Sequence, residues 1–304
     1  MPLQETEKIL EEAPPEKEEG ERSLPELVDS DEKPYLVIRP AAGWQIINVR
    51  ELWHYRDLLI TLGVRDIKLR YRQTALGAIW VIMQPLLAAG IFTFVFGKVA
   101  KMPSDGVPYF LFSYAGLLAW NAFSSCLNNG SGSLLANSQL VSKVYFPRLI
   151  LPLSTLFSTL VDFCVAAGMM VVLMVTNRVT PHIGILLVPV WLLLVLMFAS
   201  GISFLLTAIM VSYRDVKYAI PVLVPFLMYA SPVAYSVSAV PGKMRYVFML
   251  NPLSGLLEAF RWSLLGVGKL PLGYVEWSAA CAVVAFIVGA MAFRKMERKF
   301  ADVI

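Results

Sequence analysis

The 304-residue chain is 57% hydrophobic and only 16% charged, where an ordinary soluble domain carries about 25% charged residues. Its net charge of +4 is unevenly spread: residues 1–33 hold twelve acidic against four basic side chains, a net of −8, and residues 34–304 hold ten against twenty-two, a net of +12. The runs 73–97, 106–142, 149–177, 179–213, 218–242 and 277–293 carry a single Asp or Glu, Asp162, and no Lys or Arg. They exclude a soluble fold, because about 20 apolar residues make a helix that crosses a hydrocarbon core of roughly 30 Å.

In chain order, residues 1–33 are rich in Glu and Pro and poor in aromatics, and cannot bury enough apolar surface to fold alone. They read as an acidic disordered tail with no apolar signal-peptide core. Residues 34–72 read as a cytosolic segment ending in an amphipathic helix over 51–72. At 100° per residue Leu52, Tyr55, Leu59, Leu62 and Leu69 share one arc, Arg65, Lys68 and Arg72 flank it, and Arg70 lies off it. A helix of that kind lies in the membrane interface. The four cations have two readings: anchors of the inner side, or contacts to lipid phosphate.

Residues 73–304 form the membrane body, with six predicted spans near 75–97, 107–127, 149–175, 183–211, 219–236 and 272–293. The polar run from Asn128 reads as a loop followed by a short helix over 134–144. The fifth span carries Pro221, Pro225 and Pro232 and is expected to be kinked against protein. Residues 237–273 are too charged and too short to cross, and a re-entrant or interfacial hairpin fits them. With the N-terminus inside, the inner segments hold twelve Lys and Arg and the outer ones seven, so both termini are expected in the cytosol. The fold class is thus an all-α polytopic membrane protein with six transmembrane helices, an N-terminal interfacial helix and re-entrant helices between spans five and six.

Catalytic signatures are sparse. The two histidines, His54 and His182, are too far apart in the map for a metal cluster, and no metal site is expected. Gly266–Leu270 superficially looks like a phosphate loop, but Ser263 replaces its first glycine and Leu270 the magnesium-binding hydroxyl. Asp162 alone lies deep in an apolar run, either hydrogen-bonded to a neighbouring helix or carrying protons. This shortage of intramembrane acids disfavours an ion-coupled carrier or a self-sufficient membrane enzyme, and favours a partner ATPase. Tyr109, Tyr114, Trp120, Phe123, Tyr229 and Tyr235 read either as an interfacial aromatic belt with packing or as a conduit that stacks on sugars. Cys126, Cys164 and Cys281 form no CxxC and read as small packing residues.

Four ordered motifs carry a family resemblance. RYRQTALGAIWVIMQP (70–85), SKVYFPRLILP (142–152), YRDVKY (213–218) and NPLSGLLEAFRWSLLG (251–266) resemble the permease subunits of ABC transporters that export O-antigen, capsule or teichoic-acid chains on lipid carriers. The resemblance spans roughly residues 36–300. It implies a homodimeric channel in the bacterial inner membrane, two cytosolic ATPase subunits that hold the ATP and magnesium, a lipid-linked glycan as substrate, no cofactor in this chain and no nucleic acid. It makes Arg65, Lys68, Arg70 and Arg72 part of an interfacial gate helix. Ser138, Lys143, Tyr145, Phe146 and Arg148, with Arg214 and Asp215, fall at the ATPase contacts, and Asn251, Glu258 and Arg261 in an outer gate. Export of a smaller lipid or a drug is the alternative within the same superfamily.

Overall fold

The computed structural model describes residues 49–72, 77–240, 242, 244–268, 270 and 272–303. The acidic tail, the segment 34–48, the junction at Gln73, Lys243 and Lys269 lie outside the described residues. Among the described residues every regular element is helical. Two helices, α1 (Val49–His54) and α2 (Arg56–Arg72), meet at a turn at Tyr55 and precede the first apolar helix.

Five helical segments are long and apolar enough to cross a bilayer: Ile79–Val99, Tyr109–Ala136, Ile150–Thr176, Ile183–Ser212 and Leu272–Glu297. The first is α3 (Gly77–Phe92), which carries Pro85 and widens into a π-helical stretch over Thr93–Val99. The second is α4 (Tyr109–Ala136), the most buried of the five. After a break at Asn137 comes the short α5 (Ser138–Lys143), then α6 (Ile150–Thr176). A 3-10 turn over Ile183–Leu187 leads into α7 (Val188–Ser212), and α11 (Leu272–Val303) closes the chain. The chain is a multi-pass membrane protein.

Two predicted elements differ. The expected fifth span is α8 (Val216–Tyr229), only 14 residues long. At 1.5 Å per residue it reaches about 21 Å, short of the roughly 30 Å hydrocarbon core. Pro221 and Pro225 sit within it, and the chain leaves the helix at Ala230, just before Pro232. The expected loop after Leu127 is instead helix: Asn128 to Ala136 continue α4. The run is polar but small, and its polarity turns inward, with Ser131 and Ser133 buried and the Gly130 carbonyl accepting a hydrogen bond from Thr207 of α7 at 3.1 Å. The hairpin region holds α9 (Met244–Leu250) and α10 (Pro252–Leu265), and α10 is buried along most of its length.

Backbone proximity organises the bundle. A Cβ on Gly201 of α7 would collide with the main chain at Ala285 of α11, and one on Gly289 with the Gly201 carbonyl, so these two helices cross with only glycine between them. One core cluster runs through α4, α6, α7 and α10. A second gathers Leu62 of α2, Leu134, Val141, Phe146, Ile150, Phe204, Val211 and Phe293. It binds the ends of α4, α6, α7 and α11 together on one side of the bundle, the side on which α2 and α5 also lie. Of the cysteines, Cys126 is buried beside Ser200, whereas Cys164 is exposed on α6.

Candidate functional site

The helices that precede the first apolar segment pack on protein. Gly63 of α2 lies so close to Phe157 of α6 that a Cβ there would sit 2.7 Å from the phenyl ring. Leu62 is buried, and Leu52, Tyr55, Leu58 and Leu59 pack beside it on the second core cluster. Leu69 departs from the expected arc and is exposed, as are Trp53 and Ile60. The helix turns one apolar stripe to α6 and leaves a second one outward.

The four cations of α2 part company. Arg65 forks onto Asp66 Oδ1, with nitrogens at 3.1 and 2.8 Å, and donates at 2.8 Å to Oδ1 of Asn137, the residue that separates α4 from α5. Arg70 forms an ion pair with Asp162 of α6, Nη2 to Oδ2 at 2.9 Å. The neighbouring Tyr71 donates its hydroxyl to the other oxygen of Asp162 at 2.6 Å. Burial raises the Tyr71 pKa above its ordinary value, and the hydrogen bond to Asp162 raises it further, so at neutral pH Tyr71 is the donor. Lys68 and Arg72 are exposed. The acid deep in the apolar run of α6 therefore holds the C-terminal end of α2, and Arg70 and Tyr71 reach it from adjacent positions.

This pair sits on the wall of a cavity of about 320 Å³ between α2, α3, α4, α6 and α8. Gln84, Asn121, Ser124, Ser125 and Thr159 give it neutral donors and acceptors, and Pro85, Leu117, Phe163 and Met228 give it apolar walls. Among its lining residues Arg70 is the only cation and Asp162 the only anion. A few convergent polar groups on apolar walls make this a candidate ligand site. Amides and hydroxyls beside a guanidinium suit a polyhydroxylated molecule carrying an anionic group. Sequence reading passed over Tyr71, Gln84 and Asn121. The available signal was amide side chains inside charge-free runs, where polar groups are costly without a purpose.

The aromatic set divides by burial. Tyr114, Trp120 and Phe123 are core residues of α4: the Tyr114 hydroxyl donates to the Ala166 carbonyl of α6 at 3.0 Å, and Phe123 packs on Trp120 and Phe198. Tyr109 donates to the Ala234 carbonyl at 2.6 Å and Tyr235 to that of Tyr229 at 3.1 Å, so both tie down the turn after α8. The Tyr229 side chain is exposed.

Asn251, Glu258 and Arg261 converge on that same turn. Asn251 caps α10, accepting from the Leu253 amide, and its Nδ2 donates to Ser231 Oγ at 2.9 Å and the Ala230 carbonyl at 3.3 Å. Arg261, 1% exposed, donates to the Pro232 carbonyl at 2.8 Å and to Glu258 Oε1 at 3.1 Å, with its guanidinium 4.1 Å from the Phe112 ring centre. Glu258 in turn accepts from the Val237 amide at 3.0 Å. In this conformation the three side chains staple residues 230–237 to α10.

The residues expected at the ATPase contacts lie at the end closed by the second cluster. Lys143, Tyr145, Arg214 and Asp215 are exposed, and Ser138 and Arg148 are half-buried. Phe146 is buried in the cluster, anchoring the exposed segment on either side of it. Arg148 is held by α11: its amide donates to Glu297 Oε1 at 3.0 Å and its Nη1 to the Glu297 carbonyl at 2.6 Å. Glu51 of α1 pairs with Arg294 at 3.2 Å, drawing the N-terminal helices to the same place.

These features make the chain a multi-pass helical membrane protein with a polar cavity holding an ion pair and a set of exposed polar turns at one end. The ABC-2 type transporter family matches residues 57–265, and the chain belongs to that family. It is 30% identical over 259 residues to the O-antigen export system permease protein RfbA of Myxococcus xanthus, covering 84% of this chain and 98% of the relative. An O-antigen export system permease protein RfbA of Klebsiella pneumoniae is 27% identical over 249 residues, covering 82% and 95%. The polysialic acid transport protein KpsM of Escherichia coli is 25% identical over 247 residues, covering 78% and 92%.

Proposed function

We propose that this chain is the channel-forming permease subunit of an ATP-driven exporter that moves lipid-linked polysaccharide across the bacterial inner membrane. The observation that carries the reading is the polar cavity that Arg70 and Asp162 face, a site for a hydroxyl-rich, anionic cargo set among lipid-facing helices. The relatives support it, since their names assign them to O-antigen export or polysialic acid transport and the chain covers more than nine-tenths of each.

Two copies of the chain form the channel. The 14-residue α8 supports this, because its exposed side (Tyr218, Val222, Leu223, Phe226 and Tyr229) belongs to a helix too short to cross lipid alone. Backbone that ends within the hydrocarbon must be covered by protein. A second copy supplies that cover, and α8 with the stapled turn at 230–237 completes a sixth crossing. The helices α9 and α10 then form the re-entrant outer hairpin, α2 the interfacial gate helix, and both termini lie in the cytosol. Two cytosolic ATPase subunits bind ATP and magnesium, and this chain binds no cofactor. Their closure pushes on α5 and on the turn at Arg214 and Asp215. The second core cluster passes the push to α2, α6, α7 and α11, and the Arg65–Asn137 bond links α5 directly to the gate helix.

Co-expression with and without the neighbouring ATPase tests the reading. A stable complex that hydrolyses ATP and exports the glycan is expected. Transport by the isolated chain would contradict it.

A further inference from the structure

We propose that Asp162 is a resident anion holding the place of a substrate phosphate: it keeps the Arg70 guanidinium at the cavity wall, and the phosphate of a lipid-linked glycan takes Arg70 over as the head group enters. The proposal rests on the transport reading above and names the step by which the cargo is admitted.

Three features carry it. Exposure is asymmetric across the pair, 40% for the Arg70 side chain and 11% for that of Asp162. An incoming anion can therefore reach the guanidinium while the carboxylate stays in place. Second, Asp162 does not depend on Arg70 alone. The Tyr71 hydroxyl holds its other oxygen at 2.6 Å, so the carboxylate keeps a donor when Arg70 turns away. A charged group left without any partner in a span is strongly disfavoured. Third, the rest of the polar lining is neutral: Gln84, Asn121, Ser124 and Thr159 offer hydrogen bonds to sugar hydroxyls, and Arg70 is the lining cation that can pair with phosphate.

Exchange explains how one cation can both admit and release its cargo. A guanidinium with no competing anion would hold a phosphate too firmly in a low-dielectric site. With Asp162 waiting beside it, the phosphate wins only by the difference between two similar pairs, and the return of Arg70 to Asp162 favours departure. Asp162 is therefore a positioning residue acting through Arg70. The exchange also reduces the tie between the end of α2 and Asp162 of α6 to the Tyr71 hydrogen bond, which couples cargo entry to movement of the gate helix.

The test uses the full complex with its ATPase in phosphatidylcholine nanodiscs, titrated with undecaprenyl phosphate while ATP hydrolysis is followed. Undecaprenol and inorganic phosphate serve as separate arms. The wild type should respond to the lipid phosphate but to neither control, which assigns the anion to a lipid head group. Asp162→Asn should lower the half-saturating concentration roughly ten-fold, the equivalent of about 1.4 kcal/mol of ion pairing no longer competed for. Asp162→Glu should restore the wild-type value, and Arg70→Gln should abolish the response. Tyr71→Phe supplies a second reading should Asp162→Asn not assemble: the carboxylate then loses its fallback donor, and half-saturation should rise several-fold. Superimposable titrations of wild type and Asp162→Asn, or of wild type and Tyr71→Phe, would overturn the exchange. So would an Arg70→Gln complex that still responds. A wild-type complex that exports glycan yet ignores undecaprenyl phosphate would refute the exchange while leaving the transport reading intact.

Discussion

Replacing Arg261 with methionine removes the only charged donor from the staple that holds the turn after α8. The guanidinium is 1% exposed and contacts the Pro232 carbonyl, Glu258 and the Phe112 face. Without it Glu258 remains largely buried with the Val237 amide as its partner, and the Pro232 carbonyl loses its donor. Breaking a buried ion pair from one side costs about 3–5 kcal/mol, chiefly because a charge is left uncompensated. For a chain of this size that lowers Tm by on the order of 10 °C. The double variant Arg261→Met with Glu258→Gln removes the stranded charge and should recover at least half of the loss. The assay is thermal unfolding of the detergent-solubilised protein, read as the monodisperse fraction surviving each temperature. Should the single variant lose less than about 1 °C, or the double lose as much as the single, the staple would not be what holds the turn.

At the α7–α11 crossing, Gly289→Val should prevent assembly of the bundle or lower Tm more than any exposed glycine change, whereas Gly132→Ala, which meets nothing within 4 Å, should be silent in the same assay. Phe146→Ala should cost about 3–5 kcal/mol as a truncated core aromatic. By contrast, Lys143→Glu or Tyr145→Ala should leave Tm unchanged and weaken co-purification with the ATPase. Arg65→Ala, which loses the bond to Asn137, should leave ATP hydrolysis in place and reduce glycan exported per ATP, measured on the same reconstituted complex.

The spans were legible because lipid imposes a plain rule: residues without charge over about 20 positions have one solvent available. The boundaries of α6 and α7 follow from it closely. The rule fails where protein replaces lipid as the surroundings. Residues 128–136 look like a loop by polarity, yet their hydroxyls and small side chains face α7, and burial by a neighbouring helix is a tertiary fact. α8 fails in the opposite sense: its composition matches a span, but prolines and the staple from Asn251, Glu258 and Arg261 end it early.

The site was legible in its charges and not in their pairing. Arg70 and Asp162 each stood out, one beside an apolar run and one within it, but their meeting depends on how α2 crosses α6 at Gly63 and Phe157. Grouping Arg65, Lys68, Arg70 and Arg72 by proximity in sequence missed that two of them are committed to different partners. The aromatics show the same limit, since composition does not reveal that Tyr114, Trp120 and Phe123 face the core while Tyr229 faces outward.

The most direct test of the central claim is translocation itself. Proteoliposomes carrying this chain and its ATPase, loaded with the lipid-linked glycan that accumulates when the gene is deleted, can be probed with an impermeant glycan-cleaving enzyme. The account predicts that ATP moves the glycan across the bilayer, that this requires both subunits, and that a non-hydrolysable ATP analogue does not support it. Glycan movement driven by an ion gradient without the ATPase, or none with the complete ATP-hydrolysing complex, would contradict it.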